Sequence, residues 1–184
     1  MKVSLIMPTI NVTTELDLFL KSLKAQTYKN FELIVVDQNE GYDVFEIVKN
    51  YEEDFKIKYV RSDEKGLSLN RNRGLVLMEG EIAGFPDDDC EYQSDTLEKV
   101  ISFFKRKRNY QIYSCRTLER GKTYGTGVME KRDMDIKKDC VDTTVKSITF
   151  FVNYGKDDII LFDENLGVGA TFGSGEETDY VLTL

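Results

Sequence analysis

The chain contains no histidine, only two prolines and only three cysteines in 184 residues. It also has no apolar run approaching the roughly 18 residues of a membrane-crossing helix. Without histidine, imidazole-based triads, HExxH zinc sites and histidine acid–base chemistry are excluded. The cysteines, Cys90, Cys115 and Cys140, are sparse, odd in number and form no CxxC pair. That usage suits a reducing compartment rather than a disulfide framework, so a cytoplasmic location is expected. The N-terminal run Val3–Ile10 is too short for a signal segment and is broken by Pro8. The sequon Asn11-Val12-Thr13 carries little weight in such a setting. Positive charge is scarce as well: 25 Lys and Arg stand against 33 Asp and Glu, for a net charge of −8. That balance argues against nucleic acid as a partner, and an anionic substrate would need a cation to mediate. Internal repeats and low-complexity tracts are also absent.

What is present reads as one globular domain, with 41% hydrophobic and 32% charged residues. Val3–Met7, Phe31–Val36 (followed by Asp37), Lys56–Val60 and Ile82–Phe85 are expected strands, the first ending at Pro8. Between them lie expected helices. The first is capped by Thr13 or Thr14 and continues through Leu16, Phe19, Leu20 and Leu23. Val44–Tyr51, Leu67–Met78 and Ser94–Arg108 follow. Strand–helix alternation with short loops implies an α/β fold, a mostly parallel sheet covered on both faces. The division expected is a nucleotide-binding half over residues 1–110 and a second half over 111–184. In that second half Gln111–Cys115, Ile148–Val152 and Ile159–Phe162 are expected strands. Gly121–Gly127 is expected to be a glycine-rich loop or edge strand and Asn165–Gly175 a mobile loop, with a helix from Glu176 to Leu184.

The chain turns on Ile82–Glu91, which reads IAGFPDDDCE. An apolar strand delivers three carboxylates, Asp87, Asp88 and Asp89, to its C-terminal end, where ligands sit in open α/β sheets. Such crowding is unfavourable without a neutralising cation. All-oxygen ligation suits Mg²⁺, Mn²⁺ or Ca²⁺ and not zinc. Taken alone, such a run reads more readily as a solvated acidic turn; the stretches on both sides of it favour the site. Three other patterns lead nowhere. Gly121-Lys122-Thr123 lacks the upstream glycine of a P-loop, because Arg116 stands there. Gly167, Gly169 and Gly173 lack the strand–turn–helix of a dinucleotide fingerprint. The basic run Lys105–Arg108 complements a helix C-terminus.

Five stretches in order carry a resemblance. They are Ser4-Leu5-Ile6-Met7-Pro8-Thr9, Phe31 to Asp37, Gly66-Leu67-Ser68 with Asn70-Arg71-Asn72-Arg73-Gly74, Gly80-Glu81-Ile82 running into Phe85 to Asp89, and Gly175-Glu176-Glu177-Thr178-Asp179. Together they resemble inverting glycosyltransferases of family 2, with the GT-A fold. The resemblance implies transfer of a sugar from a nucleoside diphosphate donor, UDP- or dTDP-linked, to a hydroxyl of a glycan, lipid-linked or protein acceptor, assisted by Mn²⁺ or Mg²⁺. It places Pro8, Thr9, Asn11, Asp37, Arg71, Asp87 and Asp88 around the donor, with Asp37 accepting from a uracil or thymine N3–H. It gives the metal to Asp89 and Asp87, and the role of general base to Glu177, with Glu176 and Asp179 as rivals.

Each of these has a plainer reading. Arg71 also reads as a solvated helix arginine, and Glu176–Asp179 as an acidic first turn. The chain departs from the family pattern at Gln38, where a second acid is usual, and in lacking a histidine beyond the acidic helix. It also ends where the family usually continues, so a missing C-terminal part and peripheral membrane association through it are expected. A sugar nucleotidyltransferase and a nucleotide-sugar-binding or assembly module without turnover are the alternatives. The first would want a basic glycine-rich loop after the opening strand.

Overall fold

The structure is a computed structural model that describes residues 1–11, 14–119, 133–155 and 158–184. Six strands form one sheet in the order β3-β2-β1-β4-β6-β5. β1 (Val3–Thr9), β2 (Phe31–Asp37), β3 (Lys56–Arg61) and β4 (Ile82–Gly84) run parallel. β5 (Ile112–Ser114) and β6 (Phe150–Asn153) complete one side in antiparallel register. Every residue of β1 and β2 is buried, as expected for central strands covered on both faces.

One apolar layer packs β1 and β2 beneath α1 (Glu15–Lys24), α2 (Asp43–Val48) and α4 (Thr96–Arg106). The other packs the opposite sheet face against α5 (Val141–Thr144) and α6 (Glu176–Thr183), with Phe85, Phe150, Phe162 and Tyr180 at its centre. No helix among the described residues is long and apolar enough to cross a membrane.

Pro8 does not end the first strand, which continues to Thr9 opposite Asp37. Its missing N–H leaves no ladder bond unmade here. The Thr9 carbonyl accepts from Gln38 on the β2 side, so the alternate residue Pro8 faces β4. The β4 ladder stops at the Leu5–Gly84 pair, leaving no acceptor waiting for a Pro8 donor.

α3 (Leu67–Leu75) is shorter than expected and lies close on β1: a Cβ at Gly74 would fall 2.4 Å from Ile6. Thr14 sits at the α1 N-cap but makes no capping bond, and Thr13 lies outside the described residues, as does Gly121–Gly127. Residues 159–162 form no strand, against expectation.

Candidate active site

Strand order changes direction between β1 and β4, which opens a crevice at the C-terminal edge of the sheet. The two lips of that crevice are joined, since the Thr9 hydroxyl donates to Asp88 Oδ2. Asp87 and Asp88 are partly buried behind the mouth and Asp89 is exposed at it.

Arg71 reaches this edge from α3 and is 1% exposed. None of its three guanidinium nitrogens makes a hydrogen bond. They stand 3.8 Å from Asp87 Oδ1 and 3.7 Å from Glu176 Oε1, which is ion-pair range only. The planes of Phe162 and Phe85 flank the cation, their centroids 5.3 and 6.0 Å from it. Glu176, the first residue of α6, is 5% exposed, and its Oε2 has no hydrogen-bond partner. A buried guanidinium held by two long ion pairs and two rings is costly unless something else completes its bonding.

The carboxyls respond to this enclosure. Asp87 is pushed up to about 6, first because surrounding protein replaces water. The nearby Arg71 works the other way, while Asp89, Asp88 and Glu177 add to the rise. Its side chain nonetheless keeps 44% of its surface open, so it stays reachable from the crevice. Asp88 is raised by burial, against the pull of the Thr9 hydroxyl. Glu176 is raised by burial, with Glu177 adding to the rise and Arg71 opposing it. Glu177 thus lies within electrostatic reach of both Asp87 and Arg71. Asp179, one turn on, faces outward and is exposed.

Of the donor residues expected from sequence, Pro8, Thr9 and Asn11 line the β1 end, with Asn11 in a left-handed conformation that asparagine tolerates. The Asn11 N–H donates to Asn39 Oδ1 at 2.7 Å. Asp37 closes β2. It has no exposed surface, and its carboxylate accepts from the Asn39 N–H, Asn39 Nδ2 and the Tyr59 hydroxyl. Asp37 fixes Asn39, and Asn39 fixes Asn11. Gln38 likewise accepts from the Gly66 N–H at 3.0 Å and ties β2 to the start of α3.

Periodicity did not reveal the joint between α3 and the C-terminal segment. The Asn72 amide accepts from the Phe162 N–H at 2.8 Å and donates to the Phe162 carbonyl at 3.0 Å. The backbone groups of Phe162 are thus paired by a side chain, the Ile160 carbonyl accepts from the Tyr180 hydroxyl, and Ile159 and Leu161 are exposed to water. Asn165–Gly175 is likewise tied at its base. Ser68 Oγ donates to the Leu166 carbonyl, the Leu67 N–H to that of Val168, and Leu166 bridges to Phe172. The one available signal was the polar run Ser68, Asn70, Arg71 and Asn72 on a helix the sheet had to cover.

Among the described residues no three His, Cys, Asp or Glu side chains converge as a ready-made cation cage. A small hard cation carried with a diphosphate needs only one or two protein carboxylates. Asp87 and Asp89 fit that requirement: they repel each other, and Arg71, 3.8 Å from Asp87, offsets that repulsion only in part. A separate cavity of about 1280 Å³, between α4, β5 and residues 133–138, contains neither Arg71 nor any of the aspartates and glutamates discussed here.

A parallel sheet that reverses at an acid-rich crevice and is closed by two antiparallel strands is the GT-A arrangement of glycosyltransferases. The structure of S. aureus TarS residues 1–349 in complex with UDP-GlcNAc superposes with a TM-score of 0.78 at 23% identity, covering 97% of this chain and 51% of that one. Residues 4–165 match the model of glycosyl transferase family 2, and the chain belongs to that family.

Among curated proteins it is 28% identical over 149 residues to the poly(ribitol-phosphate) β-N-acetylglucosaminyltransferase TarP of Staphylococcus aureus (78% of this chain, 45% of that protein). It is 36% identical over 103 residues to the GalNAc(5)-diNAcBac-PP-undecaprenol β-1,3-glucosyltransferase of Campylobacter jejuni (54% of this chain, 33% of that protein). The chain spans less than half the length of these relatives.

Proposed function

We propose that this domain transfers a sugar from a UDP- or dTDP-linked donor to an acceptor hydroxyl, with inversion at the anomeric carbon. The observation that carries the reading is the convergence of Asp87, Arg71, Glu176 and Glu177 at one crevice, drawn from β4, α3 and α6. Both curated relatives are named for β-linkages, the outcome expected when an α-linked donor reacts with inversion.

Pro8, Thr9 and Asn11 border the nucleotide at the β1 end, with Asp37 holding their support in place through Asn39. Asp88, anchored by Thr9, faces the donor's ribose or sugar. Asp89 and Asp87 would hold Mn²⁺ or Mg²⁺, which when bound neutralises charge on the departing diphosphate.

Glu177 takes the proton of the acceptor hydroxyl as general base. Arg71 sets a fixed positive charge behind Glu176 and Asp87, so the carboxylates keep their places at no cost in reorganisation. The acceptor is a hydroxyl on a glycan, lipid-linked or protein chain. A lipid-linked acceptor would bring a cytoplasmic domain of this kind to a membrane surface.

Calorimetric titration with UDP, dTDP, GDP and CDP, each with and without Mn²⁺, tests the donor side. UDP or dTDP binding at least about tenfold tighter with Mn²⁺, and tighter than GDP, is the expected result. Metal-independent binding, or a preference for GDP, would overturn it.

A further inference from the structure

We propose that Asn72 is a positioning residue that sets the acidic helix against Arg71, an assignment that rests on the transferase reading above. The two ends of this joint are one residue apart in α3. Arg71 faces Glu176, and Asn72 bonds both backbone groups of Phe162 as well as Glu164 Oε1 at 3.0 Å.

Held there, the Phe162 ring lies between two partners. On one side is the Arg71 guanidinium, 5.3 Å from its centroid. On the other is the Tyr180 ring, stacked at 3.8 Å and 5°. Tyr180 follows Glu176 by four residues and so shares its face of α6. Its hydroxyl meets that of Tyr154 and donates to the Ile160 carbonyl at 3.1 Å.

The order of constraint is therefore Asn72 to Phe162, Phe162 to Tyr180, and Tyr180 to the rotation of α6. That rotation turns Glu176 toward Arg71 and leaves Glu177 at the crevice. No carboxylate of α6 is hydrogen-bonded to Arg71, so the helix is set through Tyr180, where the parallel Phe162 stack adds to the ring contacts of Phe85 and Phe150.

The reacting geometry tolerates little error, since a misplacement of about 1 Å can cost on the order of a hundredfold in rate. The nucleotide end of the crevice, at β1 and β2, does not depend on this joint. Asn72→Ala should therefore separate turnover from donor binding.

The test measures donor turnover with UDP-GlcNAc as probe, UDP affinity by calorimetry with Mn²⁺, and amide exchange along α6, in wild type and Asn72→Ala. Turnover is expected to fall about 30-fold with UDP affinity within twofold, and α6 amides to lose protection. In the pair Asn72→Asp with Glu164→Gln, the new carboxylate still accepts from the Phe162 N–H and gains a donor from position 164. At least a third of the loss, on a logarithmic scale, should return. Should Asn72→Ala not fold, Phe162→Leu removes the stack and keeps an apolar side chain, and the same split is expected.

UDP affinity falling in step with turnover, or turnover unchanged in both variants, would overturn the assignment. A wild type that binds no UDP overturns the donor reading separately. The exchange data then decide the joint: lost α6 protection sustains it, and unchanged protection overturns it.

Discussion

Two deeply buried charged groups, the Glu32 carboxylate and the Arg71 guanidinium, stand at opposite ends of the same sheet and are treated differently. Glu32, near the start of β2, has no exposed surface and is fully answered. It accepts from Lys2 Nζ at 2.9 Å, Ser4 Oγ at 2.7 Å and the Glu79 N–H at 2.8 Å, with Lys58 3.5 Å away. Burial alone would raise its carboxyl, but the bonds from Lys2, Ser4 and Glu79 outweigh it and hold the group below its usual range.

Arg71, at the other end, is as deeply buried and makes no hydrogen bond. Its neighbours Asp87 and Glu176 are shifted upward rather than down. The first end is a finished structural network. At the second, three guanidinium nitrogens have no hydrogen-bond partner, which is the end the transferase proposal uses.

The largest expected effect lies at the open end. Glu177→Gln should lower sugar transfer by roughly two to four orders of magnitude while UDP affinity stays within about twofold, because a base acts on the acceptor and not the donor. Steady-state rates beside calorimetry read this directly. Loss of both together would mean that Glu177 serves the donor.

Next comes the finished end. Glu32→Ala strands Lys2, Ser4 and the Glu79 N–H and should cost about 3 kcal/mol. That corresponds to a drop of roughly 6–12 °C in melting temperature for a chain of this size, with UDP affinity unchanged. The Glu32 contribution is present above the unfolded carboxylate value and lost as pH falls through its lowered folded value. The penalty of the variant should therefore shrink in acid.

Asp87 carries the opposite sign. A raised carboxyl means the folded chain binds the proton more tightly than the unfolded one, so ligand-free stability falls as pH rises from about 4 to 6. Asp87→Asn should stabilise the ligand-free protein at pH 7 and not at pH 4. The gain is about 1 kcal/mol once its open side is allowed for. The same variant should lose the Mn²⁺ dependence of UDP binding. If thermal melts show the gain to be independent of pH, Asp87 is not the group strained at this end.

The smallest effect is expected at Asp179→Asn, which touches neither network. Stability should stay within about 0.5 kcal/mol and turnover should be near wild type. A large loss there would mean α6 is rotated from the placement described.

How much of this was legible follows from which residues speak through periodicity. The four parallel strands and their acid-bearing ends announce themselves as apolar runs closed by Thr9, Asp37 and Asp87. The joint at Asn72 does not. It links residues 90 apart, and the run Ile159–Phe162 carries the composition of a strand while the backbone groups of Phe162 are bonded by an amide side chain. Asp37 was legible as a strand-end carboxylate but not as one already spent on Tyr59 and Asn39, because those partners come from turns and a neighbouring strand. The division of labour along Glu176–Asp179 was equally hidden. Spacing gives the faces of a helix, and only the packing of Tyr180 shows which face turns inward.

The Asn72–Phe162 pairing also has a consequence for synthesis. All four parallel strands lie before residue 85, and neighbouring strands that close early can pair before the rest of the chain exists. Asn72 must then wait for a partner 90 residues downstream, a delay of roughly 5 to 18 s at ribosomal rates of about 5–20 residues per second. Through that interval the nascent sheet would present an uncovered Arg71 and an unanswered amide to water. The emerging C-terminal segment both completes the crevice and seals the flank by which the half-made domain would meet a chaperone.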